Sequence, residues 1–93
     1  MERRLERDIA DFGGEAVRVE RRGRRGWLDY EVFVPWIETQ YVELKNPDDP
    51  YAKLTPQQQH TVKFLQRMNK SVWLLHSWKD YDYFITWLMA QRR

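Results

Sequence analysis

Apolar positions recur along the chain in two different periods, and the alternation of those periods predicts the order of elements. Leu5, Ile9 and Phe12 fall four and three residues apart, one stripe of a helix over about Glu2 to Phe12 that Gly13-Gly14 stops. From Ala16 to Glu20 the pattern switches to a period of two, with Ala16, Val17 and Val19 as candidate strand residues whose register stays open. A Gly/Arg turn over Arg21 to Gly26 leads to a second strand from about Trp27 to Val34. There Leu28, Tyr30, Val32 and Val34 alternate with Trp27, Asp29, Glu31 and Phe33. Pro35 ends this strand, Trp36 to Thr39 is the expected hairpin connection, and Gln40 to Lys45 reads as a third strand. Thr55-Pro56-Gln57-Gln58 is a helix start: a threonine cap, proline at the first helical position and glutamine three after the cap. That helix runs to about Met68 with Val62, Leu65 and Met68 as its stripe. Ser71 to His76 follows as a strand, and a last helix spans about Lys79 to Gln91 with Tyr81, Phe84, Ile85 and Leu88 facing inward. The predicted class is α/β: an α-β-β-β-α-β order, a mixed four-stranded sheet flanked by helices, and an added C-terminal helix.

At 93 residues the chain is one domain, residues 1–93, with no repeat or linker. Hydrophobic residues at 42% and charged residues at 32% fit a folded protein rather than a disordered one. The absence of cysteine removes disulfide frameworks, thiolate zinc sites and cysteine nucleophiles, and two histidines are too few for an imidazole-built centre. His60 and His76 have no chemical role in this reading. No apolar run is long enough to span a membrane, and the charged start is unlike a signal peptide, so a cytoplasmic place is expected. Net charge +2 is modest, but Arg18, Arg21, Arg22, Arg24 and Arg25 crowd into a short stretch with Glu20 as its one acid. Such a cluster is either a solvated loop or a contact for phosphates. Aromatic residues at 15% exceed what one small core takes up, which points to an interface.

Asp29, Glu43 and Lys45 are the candidate chemistry. Glu43 and Lys45 lie two apart on a strand and leave the same face, with Leu44 between them pointing to the core. Antiparallel pairing of the second and third strands brings Asp29 beside Glu43 or Lys45. Two neighbouring carboxylates repel unless a cation lies between them. Mg²⁺ suits that place, because it takes oxygen ligands and is commonly held by one or two carboxylates plus substrate phosphate. The Leu44 carbonyl is a further oxygen, and Lys45 is placed to orient a water or to neutralise charge on phosphorus. A Glu-x-Lys pair on a strand is also a common solvent-facing pair, and Glu31 rivals Asp29 as a ligand. Asp48 and Asp49 read as turn acids.

Three segments together resemble the VRR-NUC (virus-type replication and repair nuclease) domain of the PD-(D/E)XK nuclease superfamily. They are Gly23-Arg24-Arg25-Gly26-Trp27-Leu28-Asp29, Gln40-Tyr41-Val42-Glu43-Leu44-Lys45-Asn46-Pro47 and Leu54-Thr55-Pro56-Gln57-Gln58. The resemblance covers about Glu2 to Ser77 and implies a restriction-endonuclease-like core. It matches the family's motif aspartate to Asp29, its second carboxylate to Glu43 and its lysine to Lys45. The family's glutamate on the first helix matches Glu2, with Glu6 one turn later as the competing choice, and its glutamine at the second helix matches Gln58, which is also the capping-box partner of Thr55. One departure is Leu28, where the family has proline.

The resemblance implies a Mg²⁺- or Mn²⁺-dependent, structure-selective DNA endonuclease. Standalone phage-type members are similar to homodimers that cut four-way (Holliday) junctions. On this expectation Asp29, Glu43, the Leu44 carbonyl and Glu2 hold metal, Lys45 and Gln58 complete the centre, and Arg18, Arg21, Arg22, Arg24 and Arg25 hold DNA phosphates. Trp36, Trp78, Tyr83, Trp87 and Met89 are the candidates for a dimer interface. The alternatives are a non-catalytic basic DNA-binding module on the same fold, a flap- or end-directed nuclease, and an oligomerisation domain without nucleic acid.

Overall fold

The computed structural model describes residues 1–19 and 26–92. Its elements run α1 (Glu2–Asp11), β1 (Glu15–Arg18), β2 (Tyr30–Val34), β3 (Ile37–Leu44), α2 (Pro56–Arg67), β4 (Ser71–Leu75) and α3 (Trp78–Ala90). The four strands form one sheet in the order β1-β2-β3-β4. The first three meander antiparallel, and β4 returns through α2 to lie parallel to β3, giving the mixed sheet expected.

Side chains alternate across this sheet. On one face Ala16, Tyr30, Val32, Val34, Val42 and Leu75 are buried against Leu5 and Ile9 of α1 and Tyr81, Phe84 and Leu88 of α3. Each large side chain buried there contributes about 1.5–3 kcal/mol. The face admits one polar side chain, Gln40, whose amide takes the Trp73 indole N–H at 2.9 Å and donates to the Glu38 carbonyl at 2.9 Å. α2 lies on the opposite face, and its start is a complete capping box between Thr55 and Gln58.

Several boundaries differ from the sequence expectation. β2 begins at Tyr30 rather than Trp27, although the Val19 N–H still reaches the Asp29 carbonyl at 2.8 Å. The expected hairpin connection over Trp36 to Thr39 shrinks to Pro35-Trp36, because β3 starts at Ile37, after a register shift between Val32 and Val34. The expected stripe of α2 is corrected: Thr61 and Leu65 are buried, while Met68 is 49% exposed. The packed face of α2 runs through Thr61 and Leu65, four apart, and Met68 is the C-cap residue beyond the last turn. In β1, Ala16 is the buried residue and Val17 is exposed. The expected Gly/Arg turn over Arg21 to Gly26, apart from Gly26, lies outside the described residues, and with it Arg21, Arg22, Arg24 and Arg25.

Trp36 and Trp87, expected at an interface, are partly taken up by the fold. The Trp36 indole donates to the Leu88 carbonyl at 2.9 Å, and Trp87 stacks near Trp73 with ring centres 4.9 Å apart. Tyr83 and Trp78 stay exposed, at 66% and 45%. No helix among the described residues is long and apolar enough to cross a membrane.

Candidate active site

The regular ladder between β2 and β3 reaches Tyr30 opposite Val42. One residue further the pairing is continued by side chains. The Glu43 Oε1 accepts the Asp29 backbone N–H at 3.0 Å, and the Asp29 Oδ2 accepts the Leu44 backbone N–H at 3.1 Å. Each acid thus satisfies a main-chain donor of the other's segment. On its other side β3 stays tied to β4, since the Lys45 N–H reaches the Leu75 carbonyl at 2.9 Å. The two carboxylates are therefore fixed by backbone at the end of the sheet.

Glu43 is 3% exposed. Its second oxygen accepts Gln58 Nε2 at 2.7 Å and lies 3.1 Å from Lys45 Nζ. Lys45 Nζ also donates to Gln58 Oε1 at 2.9 Å, closing a ring of three side chains. Gln58 Oε1 accepts the Thr55 N–H at 3.0 Å as well, so the residue that caps α2 is also the one that holds Glu43 and Lys45. Gly26 lets α2 approach. Its φ of +81° is one that side-chain-bearing residues rarely adopt, and a Cβ there would collide with the Gln57 Cβ. Burial pushes the Glu43 carboxyl above the usual carboxylate range, and the Asp29 charge adds to this; Lys45 and Gln58 offset only part.

The sequence-predicted residues therefore divide. Asp29, Glu43, Lys45 and Gln58 come together. Glu2 stands in a second cluster: its carboxylate takes the Arg18 guanidinium at 2.8 Å, and that guanidinium lies 6.0 Å from the Tyr30 ring centre. Glu6 accepts the Tyr30 hydroxyl at 3.3 Å, so both glutamates of α1 gather around Tyr30. Burial raises the Tyr30 phenol, with the charges of Glu6 and Glu2 adding. Arg18, expected on DNA phosphates, is committed to Glu2. Glu31 is paired with Val17 and Tyr41 along the sheet, away from the Asp29–Glu43 exchange. Asp48 and Asp49 are turn residues as expected: the Tyr51 N–H bonds the Asp49 side chain, and the Asp48 N–H bonds Asn46. His76 meets the Asp49 carbonyl at 2.8 Å, and His60 is exposed on α2.

Sequence reasoning missed a cleft of about 860 Å³ beside Lys45, lined by Arg3, Arg4 and Arg7 of α1, Asn46-Pro47 and Trp78. The signal was present, since Arg3 and Arg7 are four apart and Arg4 is between them, one face of the helix.

No family model matches the sequence, and no curated protein matches it. Among solved structures, one described as "VRR_NUC domain" superposes with a TM-score of 0.80 at 24% identity, over 91% of this chain and 89% of that one. With Asp29, Glu43, Lys45 and Gln58 assembled at the end of β2 and β3, the chain has the fold of a VRR-NUC domain.

Proposed function

We propose that the protein is a Mg²⁺- or Mn²⁺-dependent DNA endonuclease that hydrolyses phosphodiester bonds in branched DNA, four-way junctions foremost, as a homodimer. The observation that carries this reading is the convergence of Asp29, Glu43 and Lys45 at the end of two strands, with Gln58 locking the last two together. The likeness in fold to the VRR-NUC domain supports it.

The donor set fits a hard cation. Among the described residues no group of three or more His, Cys, Asp or Glu side chains is close enough to hold a metal alone. Asp29, Glu43 and the Leu44 carbonyl would supply the protein's oxygens, leaving the rest to water and phosphate, as is common for Mg²⁺. When bound, the ion polarises the scissile phosphate and lowers the pKa of a water. Lys45 then orients the attacking water and offsets negative charge gathering on the phosphate oxygens. Gln58 is a positioning residue, holding Lys45 Nζ against Glu43. Glu2 is separated from the pair of acids by its bond to Arg18 and would act through water.

Labelled four-way junction, flap and linear duplex, each with and without Mg²⁺, test the reading. Cleavage of a branched substrate only with metal is expected; intact branched DNA under all conditions would overturn it. Junction binding without cutting would favour the non-catalytic module instead. The homodimer is checked by sedimentation, where a monomer at tens of micromolar would remove it.

A further inference from the structure

The cleft adjoins the proposed centre, sharing Glu2, Leu44 and Lys45 with it, but the rest of its lining is of another chemistry. Three arginines of α1 face it with Lys45, against one acid, Glu2, which Arg18 already neutralises. Among the described residues, the acid paired with arginines of this set is Asp8. Its carboxylate is shared among Arg4 at 3.2 Å, Arg7 at 3.9 Å and the Tyr81 hydroxyl at 2.7 Å. Arg3 makes no ion pair with any of the described residues. Among the described residues the lining of the cleft therefore carries more positive than negative charge, with Arg3 outside any ion pair.

Its other wall is aromatic. Trp78 opens α3 directly after the cap Ser77 and is 45% exposed. Tyr81 holds the indole edge to face, ring centres 5.6 Å apart at 70°. Tyr81 is itself buried and bonded to Asp8, which ties this wall to the arginine-bearing helix. Trp78 is thus a half-exposed ring held on one side by Tyr81 and presented at a cleft lined by arginines. That combination suits a strand whose bases are exposed, because phosphates meet arginine while a base stacks on the indole. A duplex hides its base faces, and a cleft of about 860 Å³ is on the scale that encloses a small ligand.

We propose that the cleft between α1 and the Asn46-Pro47 loop is a subsite for a short unpaired stretch of the strand that passes Lys45, with phosphates on Arg3 and Arg7 and a base stacked on Trp78. The inference rests on the nucleic-acid reading of the neighbouring centre and adds the form of DNA that centre receives: a branch with unpaired nucleotides next to the cut.

Fluorescence polarisation in EDTA tests it without any cleavage. The probes are a labelled short oligothymidylate and the same strand built of abasic residues. Trp78→Ala is expected to weaken oligothymidylate binding about tenfold, within the range for one stacked base, and to leave the abasic strand unchanged. Trp78→Phe restores most of the loss. Arg3→Glu, at an exposed position without an ion pair, weakens both strands and keeps the test valid should Trp78→Ala not fold. Equal binding of the two strands by the parent protein, or parental binding by Trp78→Ala and Arg3→Glu, overturns the subsite. A protein that binds in this way and cuts no DNA keeps the cleft and loses the nuclease. One that cuts branched DNA while these variants bind unchanged keeps the nuclease and loses the cleft.

Discussion

On one face of the sheet Tyr30, Val32, Val42 and Leu75 are dry against α1 and α3. One residue along, on or beside the same strands, Asp29 bonds β3 while Glu43 and Lys45 meet Gln58 of α2 through hydrogen bonds and charge. The first face stabilises by removing apolar area from water, and any well-fitting hydrophobic set would serve. The second face holds a buried carboxylate whose ionisation is opposed by its surroundings, an arrangement that gives little stability. Its cost is borne by the first face. A sheet that spends one side on packing and the other on a polar network is what a reaction centre requires.

Four substitutions would break or sharpen that contrast. Phe84→Ala strikes the dry face, where the ring is fully buried, and should lower stability by about 3–5 kcal/mol in urea denaturation. The same variant, while folded, should retain cleavage. Lys45→Ala does the reverse. It removes the cation from a nearly buried pair, lowering stability by about 1–3 kcal/mol, and abolishes cutting while junction binding persists. Undiminished cutting would remove Lys45 from the mechanism. Thr55→Ala takes away one capping acceptor and should cost about 1 kcal/mol by thermal melting. Cleavage should fall only as far as Gln58 loses its place.

Asp29→Asn has the smallest effect on stability and the clearest sign. The amide oxygen can still accept the Leu44 N–H, but the charge that helps raise Glu43 is gone. A carboxyl whose folded value lies above its unfolded one contributes stability below the ordinary carboxyl range. That contribution is lost as pH rises through the folded value. The variant should therefore show a lower Glu43 midpoint by NMR titration and a smaller loss of stability between acid and neutral pH. An unmoved midpoint would mean that burial alone sets Glu43. On the proposed function, cleavage should be lost with the carboxylate charge that would hold the metal.

Much of this contrast is legible in the residues. The alternation Tyr30, Val32, Val34 marks the dry face, and Leu28, just before the strand, is buried as well, at 1% exposure. The two-residue spacing of Glu43 and Lys45 marks the polar face. Less legible was the packing of α2, where Thr61 rather than Val62 is buried. That choice depends on which face of the helix meets β4, and both faces carry apolar residues. The aromatic count suggested an interface, yet Trp36 bonds a backbone carbonyl 52 positions away, a use no local pattern could announce.

Periodicity, the capping signal of Thr55 to Gln58 and the alternation of the strands are local properties, and from them the order of elements and the faces of Asp29, Glu43 and Lys45 follow. Three things depended on segments distant in the chain being folded together. They are the reciprocal bonds between the Asp29 and Glu43 segments, the double use of Gln58 as cap and clamp, and the cleft between α1 and Trp78. Each is made by side chains that meet only when the sheet, its crossover helix and the outer helices close on one another. Such meetings are set by the angle and distance between elements, which spacing along a chain does not contain.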